Sequence, residues 1–281
     1  MEGRKATVLR DLLVHVDGSR AGRRRVRFAS ALAAHSGARL SGLHVTPQAE
    51  APPVYKPSVV AAAERRISTR LARDAEAAEM IFREEVMQAM PDSLWIGTTG
   101  DVVRGVCAQA RYADLVVLGQ YEAQGSPERH PLPVAHAVVS RCGRPVLVVP
   151  AETMFCGLTK VAIAWDGSRE AVRAVHDALP LLSLARSVDI VTVTNPAVGP
   201  DETDAERLSQ HLAHHGINIS EDRRQIVTVD EHSCLRDELE KGGYELLVMG
   251  GYSHPMWMEF VFGGATQSIL LTSKTPIFIS H

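Results

Sequence analysis

The chain has 281 residues, 45% of them apolar, and 30 Lys and Arg stand against 33 Asp and Glu for a formal net charge of −3. That length suits about two domains at the usual ~100–200 residues each, with enough apolar residues for a core in both. The near-neutral balance carries no electrostatic footprint for nucleic acid or anionic lipid, and no apolar run approaches the ~18–20 residues needed to span a bilayer.

From the amino terminus, Asp11 to Val16 reads as a strand, Arg20 to His35 as a helix, and Arg39 to Val45 as a second strand after the Ser36-Gly37 stop. Arg20, Arg23, Arg24, Arg25 and Arg27 are the one dense basic patch, expected to be a solvated helix face rather than a phosphate-binding surface. Residues 47–57 are a proline-rich loop, and Ser58 to Met90, rich in Ala, Glu and Arg, reads as one long helix. Strands follow at Ser93 to Thr98, Asp114 to Gly119 and Pro145 to Val149, with helices at Asp101 to Arg111 and Pro133 to Cys142 between them. Ala151 to Gly157 is a linker.

Beyond it the same plan returns, with strands at Lys160 to Trp165, Val188 to Thr194, Asn218 to Val227, Glu245 to Gly250 and Pro276 to Ser280. The intervening helices are expected at Arg169 to Ser183, Asp204 to His215, Ser233 to Lys241 and Met258 to Thr272. The strands are short continuous apolar runs, the mark of a parallel sheet covered by helices on both faces. Asp17-Gly18-Ser19 recurs as Asp166-Gly167-Ser168, 149 positions on (166 minus 17), whereas Gly119 and Pro145 recur 131 positions on as Gly250 and Pro276. The chain is therefore a duplicated α/β unit, residues 1–150 and 158–281, whose second copy is shorter in its middle.

The paired Asp-Gly-Ser strand ends, His44-Val45 closing the second strand, the strands ending in Gly119 and Gly250 and the final proline-led strands together resemble the universal stress protein family, as a tandem two-domain member. The resemblance covers essentially the whole chain. It implies two Rossmann-like domains, each an open five-stranded parallel sheet in the order 3-2-1-4-5. Strands 1 and 4 then form a topological switch point, where open α/β sheets place ligands at the strands' carboxyl ends. It further implies an adenine nucleotide (ATP, ADP or AMP, with Mg as companion ion of ATP) and a fifth strand through which copies dimerise. Here the two fifth strands are expected to pair within one chain as a pseudo-dimer, with a true homodimer left open.

Nucleotide-binding members carry glycine, two residues, glycine, nine residues, glycine, then Ser or Thr after strand 4. The second half offers Gly250 and Gly263 at two of these positions, with Ser253 in place of the middle glycine and Gly264 in place of the hydroxyl residue. Glycines let backbone N–H groups approach phosphate oxygens, and a loop that opens a helix aims the positive end of its dipole at the anion. The expected contacts are Asp166 with ribose or adenine, Val193 with the base through its backbone, and Ser253, His254, Gly263, Gly264, Ala265 and Thr266 with the phosphates. The bland alternative is that the glycines serve a tight turn and close packing.

In the first half Glu122, Glu128 and Pro133 stand where that loop would be, so this copy is expected not to bind ATP despite keeping Asp17. No G-x-S-x-G elbow, Walker A sequence or HExxH is present, so no catalytic residue is assigned and any ATP hydrolysis is expected to be slow. His211, His214 and His215 could join Cys234 or Asp230 around zinc or nickel, but an exposed helix end carrying histidines is the expected reading and no metal site is assigned. The cysteines at 107, 142, 156 and 234 lack CxxC pairing and are expected to be reduced in a cytoplasmic protein. Two functions from different classes follow: a stress-response nucleotide sensor or regulator, or a non-nucleotide interaction protein that holds a protein partner or a small apolar ligand.

Overall fold

The computed structural model describes residues 8–48, 57–87, 89–121, 134–194, 202–220, 224–227, 238–239, 241–251 and 265–281. In the first half, β1 (Asp11–His15), α1 (Arg20–Ser36), β2 (Arg39–Thr46), α2 (Pro57–Phe82), β3 (Leu94–Thr99), α3 (Val102–Ala110), β4 (Leu115–Gly119), α4 (Val134–Val139) and β5 (Val146–Val149) follow one another. The second half adds β6 (Lys160–Trp165), α5 (Arg169–Leu182), β7 (Ser187–Thr194), α6 (Glu202–His214), β8 (Arg224–Val227), β9 (Leu246–Gly250), α7 (Ala265–Thr272) and β10 (Ile277–Ser280). No helix among the described residues is long and apolar enough to cross a membrane.

All ten strands join one sheet in the order β3-β2-β1-β4-β5-β10-β9-β6-β7-β8, so each half has the 3-2-1-4-5 arrangement. Pairing is parallel within each half, and the halves meet through antiparallel β5 and β10, with Phe278 opposite Leu147. The strand carboxyl ends of the two halves consequently point in opposite directions. Both faces of the sheet carry a core that runs across this seam: Leu12, Leu147, Phe278 and Ile163 lie in one cluster, Leu13, Val148, Ile277 and Leu247 in the other. Gln120 Nε2 strengthens the join, donating to the carbonyls of Leu270 (3.1 Å) and Ser273 (3.0 Å).

Local chemistry sets the helix starts. Ser19 and Ser168 sit in extended backbone and their hydroxyls accept the amides of Gly22 (2.9 Å) and Ala171 (3.1 Å), satisfying one orphan donor at each helix start. The long helix departs from expectation: α2 ends at Phe82 and gives way to a π-helical turn, Arg83–Met87. The expected single strand over 218–227 is a parallel bridge at Ile219 and, separately, β8. Most of the helix expected over Ser233 to Lys241, and residues 258–264 of the last one, lie outside the described residues.

Of the basic patch on α1, Arg20 and Arg27 are exposed as expected, Arg23 and Arg24 are half-buried and Arg25 is buried, and among the described residues all but Arg20 are engaged in ion pairs. Arg23 pairs with Glu84 (2.8 Å) and Glu85 (2.6 Å), Arg27 with Glu85 (2.6 Å), Arg24 with Glu152 and Arg25 with Asp17 (2.5 Å). The π-helical turn supplies Glu84 and Glu85, so it ties α2 back onto α1.

Candidate functional site

In the second half, β6 lies between β7 and β9, with Trp165 opposite Thr192 and Ile163 opposite Val248. Asp166 follows the end of β6, Val193 follows Thr192 on β7, and Gly250 ends β9, so these three gather at the carboxyl edge where α5 leaves. Asp166 is exposed; its Oδ1 accepts the Ser168 amide at 2.9 Å, and among the described residues no other group bonds to it. Beside it, Trp165 Nε1 donates to Asp204 Oδ2 at 2.8 Å, fixing α6 against the strand end. Glu170, in the first turn of α5, is buried and accepts from Arg169 at 2.7 and 2.9 Å.

Gly250 is held by packing. A Cβ placed on it would stand 2.5 Å from the Ala171 nitrogen and 2.6 Å from the Glu170 carbonyl carbon. Gly251 is likewise closed in by Ile279, and His281 Nδ1 lies 2.9 Å from the Gly251 carbonyl oxygen. Of the other expected phosphate contacts, Thr266 is buried on α7, Ala265 begins that helix, and Ser253, His254, Gly263 and Gly264 lie outside the described residues.

The first half has built something different from the same Asp-Gly-Ser sequence. Asp17 Oδ1 accepts the Ser19 amide at 2.9 Å and the Ser19 hydroxyl, while Oδ2 accepts Arg25 Nη2 at 2.5 Å. Arg25 Nε donates to the His15 carbonyl at 2.7 Å. Burial pushes the Asp17 pKa upward, but the Arg25 charge and the Ser19 hydroxyl outweigh it and hold the carboxyl well below the usual range. Burial, then the Arg25 charge, push the His15 pKa down to about 3, so this imidazole is neutral. His44, one strand over, places Nδ1 2.8 Å from the Val16 carbonyl, and its buried Nε2 has no partner among the described residues.

The sequence profile of the universal stress protein family matches residues 9–150, half of the chain. The chain belongs to that family. Among solved structures it is similar over 96% of its length to a universal stress protein from Archaeoglobus fulgidus DSM 4304 (95% of that chain, 16% identity, TM-score 0.69). It is also similar to a functionally unknown protein from Pseudomonas aeruginosa PAO1 (97% of this chain and 92% of that one, 13% identity, TM-score 0.57). A putative universal stress protein from Pseudomonas aeruginosa UCBPP-PA14 gives 97%, 93%, 13% and 0.55 for the same quantities. No curated protein matches the sequence. At these identities the likeness establishes a shared fold, and this universal stress protein carries both copies of it in one chain.

Sequence reasoning missed Arg25, although a signal was there: it falls on the buried stripe Gly22, Arg25, Val26, Ala29, Leu32, Ala33 that faces the sheet. It also missed His176 on α5, whose ring lies 5.2 Å from that of His211, itself 4.8 Å from His215. His214 ends α6, Cys234 and Asp230 lie outside the described residues, and no group of three His, Cys, Asp or Glu able to hold a metal occurs among the described ones.

Proposed function

We propose that this universal stress protein binds one adenine nucleotide, ATP, ADP or AMP, in its second copy, residues 158–281, and works as a stress-response sensor or regulator in the cytoplasm. The observation that carries the reading is Asp166: an exposed carboxylate at a switch-point crevice, free on one oxygen among the described residues, whereas its counterpart Asp17 is spent on Arg25. Such a carboxylate accepts ribose hydroxyl or adenine amino donors, and Val193 offers backbone groups to the base from the next strand. Phosphates, with Mg when the nucleotide is ATP, would fall to the glycine loop and to Thr266. No residue is assigned a catalytic role.

Calorimetric titration of nucleotide-stripped protein with ATP tests the reading, with one site per chain expected and its loss in Asp166→Ala. Absence of heat and of thermal stabilisation at millimolar ATP would sink it. One observation favours the second reading, an interaction protein for a protein partner or a small apolar ligand: packing alone accounts for both Gly250 and Gly251.

A further inference from the structure

Counting 149 positions between the copies, as for Asp17 and Asp166, puts Ala174 where the first half has Arg25. Arg25 is only 7% exposed. Its guanidinium reaches three parts of the crevice mouth together. Nε donates to the carbonyl of His15, the last residue of β1 (2.7 Å), and Nη2 donates to Asp17 just beyond it (2.5 Å). Nη1 lies so close over Gly119, the last residue of β4, that a methyl group there would overlap it. In the second copy Ala174 is fully buried, and α5 closes on Gly250 with its own backbone while Asp166 remains exposed.

We infer that Arg25 is a built-in occupant of the first crevice: a tethered guanidinium that neutralises Asp17 and closes the gap between β1 and β4 to any ligand. The residue at this helix position then decides whether the aspartate is occupied, arginine holding Asp17 in the first copy and alanine leaving Asp166 of the second exposed. Guanidinium suits the task because its planar fork of donors serves a carbonyl and a carboxylate together and keeps its charge at every relevant pH. Burial ties the two groups together, since removing either partner of a buried ion pair leaves an uncompensated charge. Asymmetry between the copies therefore begins at the crevice itself, upstream of any difference in the loops that follow β4 and β9. The closure holds whatever the ligand; only the identity of the excluded molecule, an adenine nucleotide, rests on the function proposed above.

The test is carboxyl labelling of the full-length protein with a water-soluble carbodiimide and glycine ethyl ester, read by peptide mass spectrometry at Asp17 and Asp166. In the wild type Asp17 should react many-fold more slowly than Asp166. In Arg25→Met and Arg25→Ala, with folding confirmed by circular dichroism, Asp17 should rise to a rate comparable with that of Asp166, which serves as the internal reference. Equal rates in the wild type, or an Asp17 that stays protected in the folded variants, would overturn the inference. Arg25→Lys, which keeps the charge but not the fork of donors, is the second variant should neither of these fold, and it too should speed the labelling of Asp17, an unchanged rate overturning the inference. The labelling needs no nucleotide, so a failed ATP titration beside a protected Asp17 removes the proposed function and leaves the closure standing.

Discussion

Gly250 and Ala171 approach so closely that a Cβ on the glycine would lie 2.5 Å from the alanine's backbone nitrogen. The obstacle is main chain at the capped start of α5, which cannot swing aside as a side chain would. Gly250→Ala should therefore destabilise the protein by about 1–3 kcal/mol through overpacking, measurable by urea denaturation. A neutral result would show that α5 stands off β9 and that the glycine is kept for another purpose. The substitution is a poor probe of ligand binding for the same reason, because any loss of affinity would be mixed with displacement of the helix.

Asp166 provides the clean probe. It is exposed, and the Ser168 hydroxyl rather than the Asp166 carboxylate caps α5. Asp166→Ala should leave stability within about 0.5 kcal/mol, as for surface positions generally. If the carboxylate accepts nucleotide donors, ATP affinity should fall by about tenfold or more, the ~1.5–3 kcal/mol of hydrogen bonds to a charged group. Unchanged affinity by calorimetry would remove Asp166 from the site.

Protonation of His15 should weaken the fold in mild acid. Its pKa is about 3 in the folded protein against 6.5 as the ordinary value, so its contribution is fully present above pH 6.5 and is lost as the pH falls toward 3. Over that interval one such group gives a slope of up to about 1.4 kcal/mol per pH unit. Buried His136 and half-buried His211 are lowered too, chiefly by desolvation, and act in the same direction. Asp17 also works in this direction, but only below the normal carboxylate range near 3.8. Unfolding free energies at pH 7 and pH 5 should therefore differ less in His15→Gln than in the wild type. Identical differences would mean that His15 meets water before the protein unfolds.

The doubling of the fold was legible because each strand is a short apolar run with a marked end, Asp17 or Asp166 after the first and Gly119 or Gly250 at the fourth, whereas the strand order came from the family resemblance that these ends carry. Pairing of the two fifth strands followed from the same resemblance, which makes the fifth strand an edge, and an unpaired edge invites pairing. The helical period placed α2, but its passage into a π-helical turn at Arg83 depends on Glu85 reaching Arg23 and Arg27 across sequence separations of 62 and 58, which no local pattern reports. At the candidate site, Asp166 and Gly250 could be placed from strand ends alone. The different surroundings of the two aspartates were harder to read, because Asp17 and Asp166 are both followed by Gly-Ser-Arg. What separates them is a side chain one to two helical turns away, Arg25 in one copy and Ala174 in the other.

The β5–β10 seam should make the two halves unfold as one. Phe278 is fully buried opposite Leu147, in a core cluster that draws on strands and helices of both halves. Phe278→Ala removes a large side chain where neither strand can collapse inward, at a cost of about 3–5 kcal/mol. Leu40→Ala is the control: Leu40 is equally buried in the same cluster but lies on β2, well away from the seam, and costs about 2–5 kcal/mol. If the seam couples the halves, calorimetry should show one transition in the wild type and in Leu40→Ala, and two in Phe278→Ala. A β5 edge released in this way presents unpaired backbone groups, so the Phe278 variant should also associate with itself as the temperature rises. A single transition merely shifted downward in both variants would locate the coupling elsewhere, in contacts such as those of Gln120 with Leu270 and Ser273.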